Sequence, residues 1–271
     1  MPTTVKDIRN MAGETRITMM TAYDAPTAAI ADAQGLDILL VGDSLGNTSL
    51  GYDSTLPVTV DDTVRHTAAV ARATENALVV ADMPFLSFGV DDAESIKNAG
   101  RMLKEAGAKA VKIESGPHTV ELTRKLTQLG IPVMAHLGLT PQQVNQLGGY
   151  TRQGTTRDSA AAILDLAKQH EAAGAFSLVL EHIPANLAAQ VTEALEIPTI
   201  GIGAGPDTDG QVLVVDDIVG MSDWQPPFAK QFGNVRAEME KAISAYADEV
   251  REGSFPGPEH SHVEKDLDNL Y

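Results

Sequence analysis

The chain alternates between short runs of apolar residues and longer segments whose apolar positions recur at helical spacing. Eight of the apolar runs are bounded by turn residues, which is typical of buried parallel strands. We predict these strands at Ile17–Asp24, Leu36–Ser44, Ala77–Phe85, Ala108–Ser115, Ile131–Leu139, Phe176–Pro184, Ile197–Gly205 and Gln211–Ile218. Because the strands alternate with helices in a chain of 271 residues, we predict an α/β protein with a single (β/α)8 TIM barrel. An open doubly wound sheet is the main alternative.

The segments between the predicted strands carry signals that start and stop helices. Thr59 and Asp62 form a candidate capping box ahead of a helix over Val64–Thr74. Further helices are predicted at Asp158–Ala173, Ala185–Glu196 and Val235–Arg251. The glycines that follow a helix and precede a strand, as a helix-ending residue does, are Gly107, Gly130 and Gly174. Only Pro206–Gly210 separates the seventh and eighth strands, so the helix between them is missing or displaced.

The chain shows neither a repeat nor a low-complexity linker, so we predict one barrel domain over residues 1–271. The segments Gly46–Val58 and Gly148–Thr156 follow predicted strands and are lid candidates, because long loops at this face of a barrel often carry function. From about Phe255 the chain is punctuated by proline and glycine and then becomes acidic. We expect this tail to be mobile unless a neighbouring subunit holds it.

Charge and composition exclude several classes of function. With 37 acidic and 20 basic residues, the net charge is −17, which argues against binding to nucleic acid. The acidic residues are spread over the chain, which indicates a solvated surface adapted to high salt.

No apolar run approaches the ~20 residues of a membrane helix, and no signal segment begins the chain, so we expect a cytoplasmic protein. Cysteine is absent, which leaves oxygen and imidazole as metal ligands.

Acidic residues stand where four of the apolar runs stop, at Asp43, Asp82, Glu114 and Glu181. In a closed parallel barrel these strand ends meet on the face that carries the chemistry, so we expect the four carboxylates around one pocket. Asp43 and Asp82 follow adjacent strands and can share a cation. Oxygen ligands without cysteine or clustered histidine favour Mg²⁺ over Zn²⁺. A helix or loop cap is the alternative role for Asp43.

Lys112 and Glu114 lie two residues apart on one predicted strand, so their side chains point to the same side. If that side faces the barrel axis, Lys112 can hold a substrate carboxylate. Glu114 can then bind the metal directly or through water. An internal ion pair between the two residues is the alternative.

Glu181 directly follows an apolar run and looks like the most enclosed carboxylate of the chain. A partly desolvated carboxylate suits a general base, although a pair with a cation on a neighbouring strand is the alternative. His136, at the end of the fifth strand, can donate a hydrogen bond to substrate or hold a carboxylate, or be structural. Together these residues suggest metal-assisted formation of an enolate from a 2-oxo acid.

Seven strings along the chain resemble those of the ketopantoate hydroxymethyltransferase family. They are Thr21-Ala-Tyr-Asp24, Val41-Gly-Asp-Ser-Leu-Gly46, Gly51-Tyr-Asp-Ser-Thr-Leu-Pro-Val-Thr59, Ala81-Asp-Met-Pro-Phe85, Val111-Lys-Ile-Glu114, His136-Leu-Gly-Leu-Thr-Pro-Gln142 and Gly201-Ile-Gly-Ala-Gly205. The resemblance runs from about Thr18 to His262. The glycine string alone is a weak signal, because a tight turn or close backbone approach explains it equally well.

The resemblance implies transfer of a hydroxymethyl group from 5,10-methylenetetrahydrofolate, or a modified folate, to 3-methyl-2-oxobutanoate. It also implies a (β/α)8 barrel that assembles as a homodecamer of two pentameric rings. By the family's pattern, Asp43 and Asp82 bind Mg²⁺ and Glu114 completes the metal site. Asp43, Ser44, Asp82 and Lys112 contact the keto acid, and Glu181 takes its C3 proton.

The sequence departs from the family's usual pattern at His182, next to the implied base, and at Asp216, Pro227 and the longer acidic tail. None of these is an implied metal ligand. The alternatives are a metal-dependent lyase or mutase resembling isocitrate lyase, and a non-catalytic ring-forming or ligand-sensing barrel. The first normally places a cysteine or a different acid in its lid, and this chain has no cysteine.

Overall fold

The computed structural model describes residues 2–222 and 224–264. Its strands are β1 (Ile17–Thr21), β2 (Ile38–Val41), β3 (Leu78–Asp82), β4 (Ala110–Glu114), β5 (Val133–Gly138), β6 (Ser177–Glu181), β7 (Thr199–Ile202) and β8 (Gly210–Leu213). They pair in parallel in chain order, and β8 closes the barrel against β1. The predicted (β/α)8 barrel is confirmed, and the open-sheet alternative is wrong.

The predicted helices are present, although some of their bounds differ. They are α1 (Val5–Asn10), α2 (Ala25–Ala33), α3 (Leu45–Thr48), α4 (Val60–Arg72), α5 (Asp92–Lys104), α6 (Val120–Gln128), α7 (Val144–Leu147), α8 (Arg157–Ala172), α9 (Ala185–Ala194), α10 (Val215–Val219) and α11 (Val235–Glu252). Helix α4 starts four residues before the predicted Val64, because Thr59 and Asp62 form the capping box at its first turn. The three predicted helix-ending glycines all have positive φ.

The predicted eighth strand, Gln211–Ile218, is wrong in its second half. Strand β8 ends at Leu213, and the chain turns into α10. The two aspartates in the first turn of α10 favour a helix start, because negative charge is stabilised at a helix N-terminus. The backbone N–H of Val215 donates to Thr21 Oγ1 at 2.9 Å, which ties this start to the end of β1. The predicted lack of a helix between β7 and β8 is confirmed, since residues 203–209 contain neither helix nor strand.

Apolar side chains from all eight strands fill the barrel interior. The buried cluster consists of Ile8, Ile17, Met19, Ile38, Leu40, Leu78, Val80, Ala110, Met134, Phe176, Val179, Ile200 and Val212. Burial of each large side chain contributes about 1.5–3 kcal/mol. The packed interior leaves the C-terminal ends of the strands as the place where polar side chains can gather.

The two predicted lid segments differ in structure. The first, Gly46–Val58, begins within α3. The second, Gly148–Thr156, contains neither helix nor strand. The backbone N–H of Gln153 donates to the His182 carbonyl at 3.0 Å, which attaches the second segment to the end of β6. The role of both segments as lids stays a prediction.

The chain divides into two compact units: Met1–Val215 with Pro226–Ala229, and Asp216–Gln225 with Lys230–Tyr271. The first contains the barrel strands. The second contains α11, which has no buried residue.

Of the predicted acidic tail, residues 255–264 are described and include a short 3₁₀ turn at Pro258–His260, whereas residues 265–271 lie outside the described part. In the described residues, no helix combines the length and apolar character needed to cross a bilayer.

Candidate active site

The C-terminal ends of the strands surround a pocket of about 100 Å³. All seven residues predicted from the sequence line it: Asp43, Ser44, Asp82, Lys112, Glu114, His136 and Glu181. Strand register explains the arrangement, since Asp82 lies opposite Lys112, and Glu114 lies opposite His136. The expectation that the strand-end carboxylates meet around one pocket is therefore confirmed.

Lys112 forms an ion pair with Asp82, not with Glu114 as the sequence-based alternative supposed. Its Nζ lies 2.6 Å and 2.8 Å from the two oxygens of Asp82, and both side chains are buried. Burial alone would lower the pKa of Lys112, but the charges of Asp82 and Asp43 outweigh it and raise this pKa. Lys112 is therefore a cation at neutral pH, and in the described part of the chain it is the only buried lysine or arginine.

Asp43 follows β2 and lies beside Asp82. Its backbone N–H donates to Asp82 Oδ2 at 3.3 Å, and its side chain is buried. Burial and the nearby charge of Asp82 raise the pKa of Asp43 to about 7. Asp43 caps no helix in this structure, because the N-cap residue of α3 is Ser44, whose side chain makes no cap hydrogen bond. The side chain is thus available for a role in the pocket.

Glu114 ends β4 and is held by a residue that sequence reasoning missed as part of the site. The backbone N–H of Gln142 donates to both oxygens of Glu114, at 3.0 Å and 3.2 Å. Burial, followed by the charge of Asp43, raises the pKa of Glu114 well above its usual value. The side-chain Nε2 of Gln142 also donates to Asp43 Oδ2 at 2.9 Å. Gln142 is uncharged and lies in a turn, so no pattern of charge or hydrophobicity indicates that it belongs to the site. Only its position at the end of the string His136–Gln142 could have indicated this.

Glu181 and His136 form the other side of the pocket, where Nε2 of His136 lies 3.1 Å from Oε2 of Glu181. Burial, and then the charge of Lys112, lower the pKa of His136, so its imidazole is neutral near pH 7. The expectation that Glu181 is the most enclosed carboxylate is wrong. Its side chain is 17% exposed, against 2% for that of Asp82. An apolar run indicates that the strand itself is buried. It does not indicate how exposed the side chain at the end of the strand is, and here that side chain lies at the mouth of the pocket.

Ser44 contacts a second residue that sequence reasoning did not assign. The hydroxyls of Tyr23 and Ser44 lie 2.8 Å apart, which joins the loop after β1 to the loop after β2. Tyr23 is buried, and Ser44 is partly exposed to the pocket. The Ser44 hydroxyl is therefore held in place while it lines the cavity.

Close backbone packing explains the glycines around this site. At Gly138, opposite Glu181 in the sheet, φ is +100° and a side chain would collide with the Glu181 carbonyl. A Cβ at Gly203 would lie 2.7 Å from the ring of Phe228. The glycine at this position of the string therefore leaves space for the Phe228 side chain. His182 next to Glu181 has φ of +47°, and its ring lies 5.5 Å from that of Phe228.

The donor set fits a hard divalent cation that takes part of its ligands from water and substrate. Among the described residues, no three acidic or histidine side chains lie close enough together to hold a metal ion by themselves. However, the three buried carboxyl groups of Asp43, Asp82 and Glu114 face the single cation of Lys112, and the pKa values of Asp43 and Glu114 are raised because their charged forms are buried close to other carboxylates. A bound divalent cation would favour the ionised forms of these groups. Mg²⁺ commonly uses only one or two protein carboxylates and keeps several waters.

Solved structures share the fold. The chain superposes on a phosphoenolpyruvate phosphomutase from Streptomyces platensis subsp. rosaceus with a TM-score of 0.63, over 92% of this chain and 88% of that one. Sequence identity in this pair is 14%, so the likeness concerns the barrel alone.

Sequence comparisons are more specific. A model of the ketopantoate hydroxymethyltransferase family matches residues 2–258. The chain is 70% identical to the 3-methyl-2-oxobutanoate hydroxymethyltransferase of Natronomonas pharaonis, over 98% of this chain and 99% of that protein. It is 66% identical to the protein of the same name from Haloarcula marismortui over the full length of both. The chain therefore belongs to the ketopantoate hydroxymethyltransferase family, whose members are transferase enzymes.

Proposed function

We propose that the chain transfers a hydroxymethyl group from 5,10-methylenetetrahydrofolate, or a modified folate, to 3-methyl-2-oxobutanoate. The product is 2-dehydropantoate, a precursor of pantothenate and coenzyme A. Family membership and the names of the relatives support the reaction. The observation that carries the mechanism is the division of one pocket into two sides. A carboxylate held by a neutral histidine faces a cluster of buried carboxylates around one lysine.

The buried side of the pocket suits the keto acid. In this proposal Asp43 and Asp82 hold Mg²⁺, and Glu114 completes the site directly or through water. When bound there, Mg²⁺ supplies Lewis acidity that stabilises negative charge on the keto oxygen. Lys112 remains a cation and attracts the carboxylate of the substrate. The hydroxyl of Ser44, held by Tyr23, offers a further hydrogen bond.

Glu181 takes the C3 proton in this proposal. Its partly exposed carboxylate reaches the pocket, whereas the more deeply buried acids are engaged with Lys112 and Gln142. His136 lies beside Glu181 as a neutral imidazole near pH 7, because burial lowers its pKa. Removal of the proton leaves an enolate whose C3 can form a bond to carbon.

The second half of the reaction joins C3 of the enolate to the one-carbon unit of the folate. Both bonds between that carbon and the two folate nitrogens break, water supplies the hydroxyl oxygen and one proton, and tetrahydrofolate leaves. The two nitrogens each take up a proton: one comes from that water, and the other replaces the C3 proton that Glu181 removed. Atoms and charge balance without an oxidant or a reductant.

Deuterium exchange tests this proposal. Proton NMR of 3-methyl-2-oxobutanoate in D₂O follows the C3 proton with protein, Mg²⁺ and molar KCl, in the absence of folate. We expect its signal to disappear only when protein and Mg²⁺ are both present. If no exchange occurs with folded protein, tetrahydrofolate is added. Exchange that then begins supports an ordered reaction, and its continued absence contradicts enolate formation from this substrate.

We also propose that the protein is a cytoplasmic homo-oligomer, and a decamer by its family resemblance. The exposed face of α11 supports assembly, because Val235, Met239, Ile243 and Tyr246 lie at helical spacing and are each at least 42% exposed. Contiguous exposed apolar surface commonly marks an interface between proteins. The net charge of −17 supports adaptation to high salt.

A further inference from the structure

Gln142 links three strand ends of the pocket, although it is neither charged nor part of the catalytic proposal. It lies in the 3₁₀ turn Pro141–Gln143 after β5 and is 5% exposed. Its Nε2 lies 2.9 Å from both Asp43 Oδ2 and the Met83 carbonyl oxygen. Its backbone N–H donates to Glu114. One residue thus contacts groups that follow or end β2, β3 and β4.

The contacts define which way the amide of Gln142 points. A primary amide nitrogen carries two hydrogens, and its Met83 partner is a carbonyl oxygen, which can only accept. An inverted amide would place its oxygen against the Met83 carbonyl oxygen, so the nitrogen faces both Met83 and Asp43. With both hydrogens engaged, the nitrogen has none left for a substrate. Gln142 is also not among the residues that line the pocket, so its side chain acts on the reaction through the groups that it contacts, of which Asp43 lines the pocket.

We propose that Gln142 is a positioning residue for the divalent-cation site. The inference rests on the proposed function, in which Asp43 and Asp82 hold Mg²⁺. Asp43 and Glu114 are both buried and repel each other, and the donors on Gln142 hold the two carboxylates in one arrangement. Groups that orient metal ligands in this way typically change metal affinity by about 10–100-fold when they are removed.

The test compares Gln142→Met with Gln143→Met. Methionine resembles glutamine in length but has no N–H, so Gln142→Met removes the donor to Asp43 and keeps the backbone donor to Glu114. Gln143 is the neighbouring residue, is partly buried, and makes no side-chain hydrogen bond within the described residues. Calorimetry in molar KCl measures the Mg²⁺ affinity of each variant without substrate, with Asp43→Asn as the reference for a lost ligand.

We expect Gln142→Met to bind Mg²⁺ about 10–100-fold more weakly and Gln143→Met to match the unmodified protein. The Mg²⁺ concentration that half-saturates C3 exchange should rise by the same factor in Gln142→Met alone. A purely structural role would lower the melting temperature without this selective change in Mg²⁺ dependence.

The outcomes separate this inference from the proposed function. If Asp43→Asn weakens Mg²⁺ binding while Gln142→Met matches Gln143→Met, the positioning role is wrong and the metal site stands. If Asp43→Asn also leaves the affinity unchanged, the metal site itself is wrong. Should circular dichroism show Gln142→Met to be unfolded, Gln142→Asn and Gln143→Asn replace the pair. Asparagine is one methylene too short to reach Asp43, and the same result is expected.

Discussion

The imidazole Nε2 of His136 lies 3.1 Å from Oε2 of Glu181, across the boundary between β5 and β6. His136 is buried, while Glu181 remains partly exposed at the pocket. Burial lowers the pKa of His136, so a neutral imidazole lies beside the carboxylate near pH 7. In the proposed reaction, Glu181 lies where a general base must lie, within reach of the pocket.

Replacement of Glu181 by glutamine should abolish proton abstraction and leave binding intact. We expect the rate of C3 exchange in Glu181→Gln to fall by about 100-fold or more, while calorimetry shows unchanged affinity for Mg²⁺ and the keto acid. Glu193→Gln, which changes an exposed glutamate on α9, is the control and should exchange normally. A near-normal rate in Glu181→Gln would dismiss Glu181 as the base.

Removal of Lys112 should destabilise the protein, because it leaves Asp82 buried without a counter-charge. We expect Lys112→Met to lose about 3–5 kcal/mol in the free energy of unfolding, measured by urea denaturation at constant KCl. The double variant Asp82→Asn with Lys112→Met should recover much of this loss, since no uncompensated charge remains at the pair. Equal losses in the single and double variants would contradict the assignment of the loss to the ion pair.

His170 should make stability fall in mild acid. Burial lowers the pKa of His170 to about 4, whereas its imidazole in the unfolded chain titrates near 6.5. The contribution of neutral His170 to the free energy of unfolding is therefore fully present above pH 6.5. It is lost progressively as the pH falls from 6.5 towards 4. Between pH 7.5 and pH 5 the loss is about 2 kcal/mol, a shift of roughly 5 °C in melting temperature.

Comparison with a variant isolates this contribution from other groups that titrate in the same range. His170→Gln should show a smaller fall in melting temperature between pH 7.5 and pH 5 than the unmodified protein. His262→Gln, which removes an exposed histidine, should behave like the unmodified protein. If all three proteins lose the same number of degrees, His170 is not the source.

Salt should raise thermal stability, because screening weakens repulsion within a chain of net charge −17. We expect the melting temperature to increase from 0.1 M to 2 M KCl. NaCl at equal ionic strength should act alike if screening is the cause. A melting temperature that does not change with either salt would contradict adaptation to high salt.

A charge on the exposed face of α11 should weaken self-assembly. Ile243 is 61% exposed on this helix, and Ile243→Glu should lower the molar mass measured by light scattering in molar KCl. Lys241→Glu, elsewhere on the same helix, introduces the same side chain and should leave the mass unchanged. Assembly of Ile243→Glu at the original mass would place the interface elsewhere.

Most of the barrel follows from local patterns in the sequence. Apolar runs fix where strands lie, and caps such as Thr59 fix where helices start. The end of β8 was harder to predict, because Val214 and Val215 continue its apolar run although the chain has already turned into α10. Here a contact with Thr21, nearly 200 residues away in the chain, outweighs local strand propensity.

The sequence by itself determined which side chains stand at the C-terminal ends of the strands, because apolar periodicity locates each end within its own strand. It also determined the family, through strings spread over most of the chain. Only the tertiary structure decided the partners. Register between β3 and β4 pairs Lys112 with Asp82, and a turn 99 residues from Asp43 brings Gln142 to it. Such contacts depend on how strands and loops align across the barrel, which no local periodicity encodes.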